Sequence, residues 1–338
     1  RLIGFFKLNS PEVIAQAEWY VRIACGLVIF SYLNAILTGL LTAAGNSRTP
    51  FIVNVAGLVF NVVLDPVLIF GIGPFPELGV SGAAAATVTA QALVSLLFFK
   101  AVLREKVLFP HLRLWVLVPV KVCREIVRIG VPSAVQNLIY AGISMILTRL
   151  ITGWGDLAVA AQRVGSQIES VSWMVGDGFS AAVNAFLGQN YGAKRYDRVR
   201  RGYFCAIAMT AAWGLCTTFL LIGMARPLFS LFLQEEEVMA IGVNYLRIVG
   251  LSQMFMMVEQ TSIGAFSGLG RTLYPSIVSV TFTSARIPVA VLLSSVMGLS
   301  GIWWALSISS MVKGCILLVS FVVFLYVFLE RKKDEKTV

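Results

Sequence analysis

Charge and histidine are what this sequence has least of. Of its 338 residues only 13% are Asp, Glu, Lys or Arg, against 58% hydrophobic. A soluble domain needs more polar surface than that. The one histidine, His111, lies in a basic stretch with no second histidine to complete a metal site. The five cysteines (Cys25, Cys123, Cys205, Cys216, Cys315) are isolated, and no CxxC occurs, which removes thiolate zinc sites and redox pairs. Most of them fall in apolar runs and are expected as small buried residues. No DDxxD-like aspartate cluster is present, so a membrane-embedded prenyltransferase holding Mg²⁺-pyrophosphate is disfavoured and no enzyme is implied. No cleavable signal peptide opens the chain, which begins with Arg rather than Met.

What fills the sequence is apolar helix. Mean hydropathy is +0.83, and several runs exceed about 18 residues with few charges, the length that crosses a bilayer. Strands of a β-barrel would alternate rather than run continuously apolar. The sequence predicts an all-α polytopic membrane protein with nine spans, near 17–43, 51–71, 79–102, 131–152, 157–186, 202–224, 238–267, 275–296 and 299–328. A basic, amphipathic segment at 111–130 reads as an interfacial linker.

The net charge of +10 sits largely in loops and follows the positive-inside rule rather than marking nucleic-acid binding. Basic loops at 103–130, at 190–201 and in the tail alternate with 71–79 and 297–299, which carry no Lys or Arg. The linker and the C-terminus are therefore expected in the cytoplasm, and the visible start outside.

The chain repeats itself. Tyr20-Val-Arg22-Ile23 matches Tyr245-Leu-Arg247-Ile248, an offset of 225 positions. The same offset aligns Gly39 with Gly264, Gly45 with Gly270 and Pro50 with Pro275; after a small length change, Gly79-Val-Ser-Gly82 matches Gly298-Leu-Ser-Gly301. Six spans separate equivalent points, so two lobes of like orientation are expected, with a substrate site between them. The repeat also predicts roughly 100 further residues ahead of Glu12, about three spans, and hence a fragment of a twelve-span protein.

One stretch, Gly45 to Gly82, carries the strongest chemical signal. Asn61 and Asp65 stand four apart inside an apolar run, on one helix face. A carboxylate in a span is costly unless paired, protonated or wetted. Asp65 is either a structural partner of Asn61 or an ion or proton site. The repeat places Arg286 opposite Asn61, Ala290 opposite Asp65 and Glu259 opposite Asn34, so the lobes share a scaffold but not an ion chemistry.

At these residues the sequence resembles the multidrug and toxic compound extrusion (MATE) family. The passages are Gly45-Asn-Ser-Arg-Thr-Pro50 with Asn61-Val-Val-Leu-Asp65 and Gly79-Val-Ser-Gly82; Gly130-Val-Pro132 with Gly188-Gln-Asn-Tyr-Gly192; and Ser267-Gly-Leu-Gly-Arg-Thr272 with Arg286-Ile-Pro288. The resemblance implies two pseudo-symmetric six-helix lobes: 1–110 as a partial first lobe (family helices four to six), 111–130 as a cytoplasmic linker, 131–330 as the second lobe and 331–338 as a tail. It implies an inner-membrane antiporter that expels small amphipathic or cationic organic compounds in exchange for H⁺ or Na⁺. No cofactor beyond the coupling ion is implied, and lipids are the other partner of an expected monomer. By the resemblance, Asn61 and Asp65, with Thr87 early in the next helix, match the family's cation or proton site, where Asn61 and Asp65 would hold H⁺ or Na⁺. The family's other carboxylate in that lobe lies on its first helix, which this sequence does not contain. Where some members carry a Glu and an Asp in the second lobe, this sequence has Tyr140 and Met257, with Glu259 nearby as a substitute.

Several other polar residues fall in spans. Asp177 sits between glycines, either a wetted carboxylate at a kink or a binder of substrate cations. Glu169, near Gln162 and Gln167, reads as part of a packed or cleft-lining stripe. Arg286 is expected to neutralise Glu259 or Asp177. Gln136 follows Pro132 by one turn and could bond across helices. Gln136, Tyr140, Asp177, Met257, Glu259 and Arg286 thus form the candidate substrate cleft. The alternative is a flippase for lipid-linked oligosaccharides on a related scaffold, which would need a strongly basic cavity.

Overall fold

The structure is a computed structural model that describes residues 11–104 and 119–334. Among these residues the chain is helical and divides into two compact units, Arg1–Val116 and Leu117–Val338. The first unit holds α1 (Pro11–Gly26), α2 (Ile29–Ala43), α3 (Arg48–Phe70) and α4 (Gly79–Arg104). The second holds α5 (Val120–Thr152), α6 (Asp156–Gly192), α7 (Tyr196–Gly223), α8 (Ala225–Ser230), α9 (Glu236–Gly250), α10 (Gln253–Gly268), α11 (Leu273–Ser284), α12 (Arg286–Met297) and α13 (Leu299–Asp334).

The sequence repeat is a structural repeat. The pair α1–α2 bends by 44°, and its counterpart α9–α10 by 50°. Gly45 leaves α2 with φ +87°, and Gly270, 225 positions on, leaves α10 with φ +68°; both positions need the left-handed backbone that glycine tolerates. Each lobe also holds its last helix against the one before through a glycine. A Cβ on Gly82 of α4 would overlap the backbone of Leu68 and Ile69 in α3. A Cβ on Gly301 of α13 would overlap the equivalent backbone of Leu293 and Ser294 in α12. The repeated helices also differ: α3 runs unbroken through Pro66, whereas its counterpart is interrupted at Ala285 and becomes α11 and α12. Pro288 lies in the first turn of α12, where its missing N–H costs least.

The second unit packs on small residues and aromatics. Gly264 and Gly268, one turn apart on α10, lie against the backbone of Ser180 and Asn184 on α6. Such small-residue faces let helices approach where lipid supplies no hydrophobic drive between them. Tyr203, Phe266 and Phe321 pack together in one cluster, the Tyr203 and Phe266 ring centroids lying 4.3 and 4.8 Å from that of Phe321. Trp303, Tyr245 and Phe229 fill another cluster.

At the break between α9 and α10 three successive carbonyls each have a side-chain donor, and Val249 O also keeps the backbone N–H of Ser252 at 3.1 Å. Ser307 Oγ of α13 donates to Ile248 O at 2.9 Å, Ser252 Oγ to Val249 O at 2.8 Å, and Thr218 Oγ1 of α7 to Gly250 O at 2.9 Å. Buried backbone groups left without partners are costly in an apolar surround.

Three expectations change. Among the described residues six helical segments are long and apolar enough to cross a membrane, or eight with each bent pair taken as one span, where the sequence predicts nine. The span placed at 157–186 is α6, whose Gln162, Arg163, Gln167, Glu169 and Asp177 lower its hydropathy. The linker placed at 111–130 falls partly outside the described residues, as does His111; the rest, from Val120, is the first turns of α5, which continues unbroken through Pro132. The five cysteines are exposed rather than buried. In a bilayer an apolar outer face is as good a place for a small sulfur side chain as a core, so hydropathy does not separate the two.

Candidate functional site

In the first unit, α3 presents Asn61 and Asp65 on one face. Asn61 Nδ2 donates to Asp65 Oδ1 at 3.3 Å, and both side chains are half-buried. Thr87 is exposed on α4, and its hydroxyl donates to Ala83 O of its own helix at 2.9 Å. The structure therefore brings Asn61 and Asp65 together and does not bond Thr87 to either. Pro66 directly follows Asp65, so the carbonyl one turn earlier, that of Val62, has no helical N–H to accept. No group of three or more His, Cys, Asp or Glu that could hold a metal occurs among the described residues.

The first unit also holds a polar group that the sequence reading did not assemble. Asn34 of α2, 5% exposed, donates through Nδ2 to the Gln91 carbonyl at 2.9 Å and to Gln91 Oε1 at 2.8 Å; Ser95 Oγ donates to Asn34 Oδ1 at 2.7 Å. Every polar atom of the Asn34 side chain is thus used in tying α2 to α4.

The second unit holds the other charged candidates and the buried ion pair. Glu259 of α10 and Lys313 of α13 form an ion pair at 2.7 Å, with side chains 8% and 6% exposed. Arg286 of α12, also buried, donates from Nε to Ser309 Oγ at 2.5 Å and from Nη2 to Ser310 Oγ at 3.0 Å. Its Cζ lies 6.0 Å from the ring centroid of Tyr140 on α5, within cation–π range. Glu169 of α6 accepts from Tyr245 Oη at 2.9 Å and Gln253 Nε2 at 3.0 Å, and is close enough to be attracted by Arg286. Asp177 accepts from Gln260 Nε2 at 2.8 Å. Gln162 accepts from Trp303 Nε1 at 3.1 Å.

Arg286, expected to neutralise Glu259 or Asp177, does neither directly: Lys313 takes Glu259, and Gln260 takes Asp177. Met257 is fully buried, its Cε and Sδ filling the space beside Gly176 of α6 and its Cγ lying beside Gly214 of α7. Gln136, half-buried, stands one turn before Tyr140 on α5. Lys313 was missed, although a lysine inside the apolar run 299–328 was itself the signal for a buried partner. Gln253 and the pair Gln91–Ser95 were missed because uncharged polar residues leave little mark in a span's hydropathy.

Comparison with known proteins gives these features a frame. The profile of the MatE family matches residues 2–67 and 132–292. The probable multidrug resistance protein NorM of Thermotoga maritima is 31% identical over 316 residues, covering 89% of this chain and 66% of that protein. The FAD transporter of Shewanella oneidensis is 26% identical over 283 residues, covering 81% of this chain and 61% of that protein. The chain thus spans under two thirds of these curated relatives. Among solved structures, an outward-facing multidrug resistance MATE transporter of the MOP superfamily superposes with a TM-score of 0.86 at 20% identity. That match covers 96% of this chain and 72% of the solved one. A MOP superfamily transporter from Pyrococcus furiosus, described as having a binding pocket of reverse polarity, also superposes at 0.86 and 20% identity, covering 95% and 72%. At that identity the two superpositions establish the shared fold.

Proposed function

The chain belongs to the MatE family, and from that premise we propose that it works as part of a multi-pass membrane transporter that expels small organic compounds by antiport with H⁺ or Na⁺. The observation that carries the proposal is Asp65, a half-buried carboxylate inside an apolar span, with Asn61 one turn before it. Loading Asp65 with a proton or Na⁺ removes a negative charge from a poorly solvated place. A ligand that binds one conformation better than another shifts the balance between them. Alternating access driven by that shift would couple ion entry to substrate release. The family resemblance supports the inner membrane, and the basic loops support a cytoplasmic C-terminus.

Amphipathic organic cations are the first substrate class to test, because relatives carry the multidrug resistance name. FAD belongs in the same panel, since another relative is named for transporting it. The flippase reading is the weaker one: of the two buried cations described in the second unit, Lys313 is paired with Glu259, and Arg286 is held by Ser309 and Ser310 rather than standing in a cluster of basic side chains.

The test is efflux from proteoliposomes holding the whole protein that contains these residues. A pH gradient and a Na⁺ gradient are imposed separately, with wild type beside Asp65→Asn. Efflux that follows one gradient and is lost in the variant identifies the ion and its site. Gradient-driven efflux that is unchanged in Asp65→Asn removes Asp65 from the mechanism. Flipping of a labelled lipid-linked sugar without gradient-driven efflux replaces the antiport reading altogether.

A further inference from the structure

A buried carboxylate in a membrane helix has three ways to be neutralised: a proton, a free cation, or a cation tethered to the same chain. The two lobes make different choices at one repeated position. In the first lobe that position is Asn34, an amide with no charge to neutralise, tied to Gln91 and Ser95. In the second lobe it is Glu259, and the helix that corresponds to α4, α13, supplies Lys313 Nζ at 2.7 Å. We propose that Lys313 is a built-in counter-cation that occupies the place at Glu259 where a mobile ion would otherwise bind, and so makes Glu259 independent of the coupling ion.

Three observations support this. First, Lys313 Nζ is the ion partner of Glu259, and both side chains are under a tenth exposed, so water does little to screen the pair. Second, the surrounding charges are arranged around the pair without displacing it. Arg286 from α12 acts on Lys313 but makes its hydrogen bonds to Ser309 and Ser310, and Glu169 from α6 draws on Arg286. Tyr140 from α5 stands over Arg286, Tyr245 from α9 is held by Glu169, and Tyr203 from α7 bonds Ser262. Asp177 from α6 is held by Gln260. Third, the residue aligned with Lys313 by the Gly79–Gly298 offset is Val94, so the lysine is a feature of the second lobe alone.

The consequence for transport, that ion dependence lies with Asp65, rests on the proposed function; the pairing itself does not, and its test needs no transport. The test is thermal unfolding of the whole protein in detergent, followed by tryptophan fluorescence, in an Asp65→Asn background that silences the first-lobe carboxylate. Melting is recorded over a series of NaCl concentrations, with choline chloride holding ionic strength, and over a series of pH. With Lys313 present the Tm should not respond to Na⁺. Lys313→Met leaves Glu259 unpaired, so Na⁺ or acid should now raise the Tm by several degrees. The double variant Glu259→Gln with Lys313→Met should lose that response and recover the Tm. A Lys313→Met protein indifferent to both ions overturns the proposal. So does a Na⁺ response with Lys313 in place that Glu259→Gln abolishes. Should Lys313→Met fail to accumulate, the double variant must restore accumulation; failure of that rescue also overturns it.

Discussion

Replacing Gly301 by alanine tests the paired-glycine geometry most directly. The added Cβ would stand 2.6 Å from Ser294 N and closer still to the Leu293 carbonyl, all of it backbone that no rotamer change can move. Carbon and nitrogen atoms normally settle near 3.5 Å, so α13 and α12 must part by on the order of 1 Å. Overpacking of this kind costs about 1–3 kcal/mol. The helix-propensity gain of alanine over glycine, at most about 1 kcal/mol, offsets part of it. The expected net loss is ~1–2 kcal/mol, a Tm lower by a few degrees for a chain of this size. Gly82→Ala should lose a similar amount, because its Cβ would meet Leu68 and Ile69 in the same way. Gly142→Ala on α5 is the control: nothing lies within 4 Å of its Cβ, so stability should hold or rise. Unfolding in detergent, by tryptophan fluorescence or by the fraction monodisperse after heating, reads all three. A Gly301→Ala protein that melts with Gly142→Ala would refute the close approach and, with it, the equivalence of the two helix pairs.

Two further predictions follow from the buried polar contacts. Trp303→Ala removes a side chain 1% exposed, its bond to Gln162 and its edge contact with Tyr245, and should cost about 3–5 kcal/mol, whereas Trp303→Phe should cost only about 1 kcal/mol through the lost bond, both read by melting temperature. Asn34→Asp should destabilise more than Asn34→Ala in the same assay, because it turns the acceptors Gln91 O and Oε1 toward a buried carboxylate instead of an amide donor.

Much of the fold could be read from the chain because its signals are periodic and come twice. The offset of 225 positions, found in Tyr20 and Tyr245, reappears as two bent helix pairs and as two positive-φ glycines, Gly45 and Gly270. The interior of the second lobe was harder to read. Arg286 and Glu259 were seen as opposite charges in spans, but which charge meets which depends on helix rotation, and that is set by packing on Gly264, Gly268 and Gly301. The cysteines were misplaced for a related reason. Hydropathy reports whether a residue avoids water, and in a bilayer the inside and the outside of the protein both satisfy that. Asn61 and Asp65 were legible as neighbours because four-residue spacing on a helix is local; Thr87, on another helix, was not.

The capped break between α9 and α10 has a mechanical meaning. Ser307 of α13 and Thr218 of α7 hold the carbonyls of Ile248 and Gly250, so straightening the helix would break two bonds contributed from two neighbouring helices. A bend held in that way behaves as a strut and not as a spring. A tilt imposed on α9 at one end of the lobe would arrive at α10, and at Glu259, with its angle preserved.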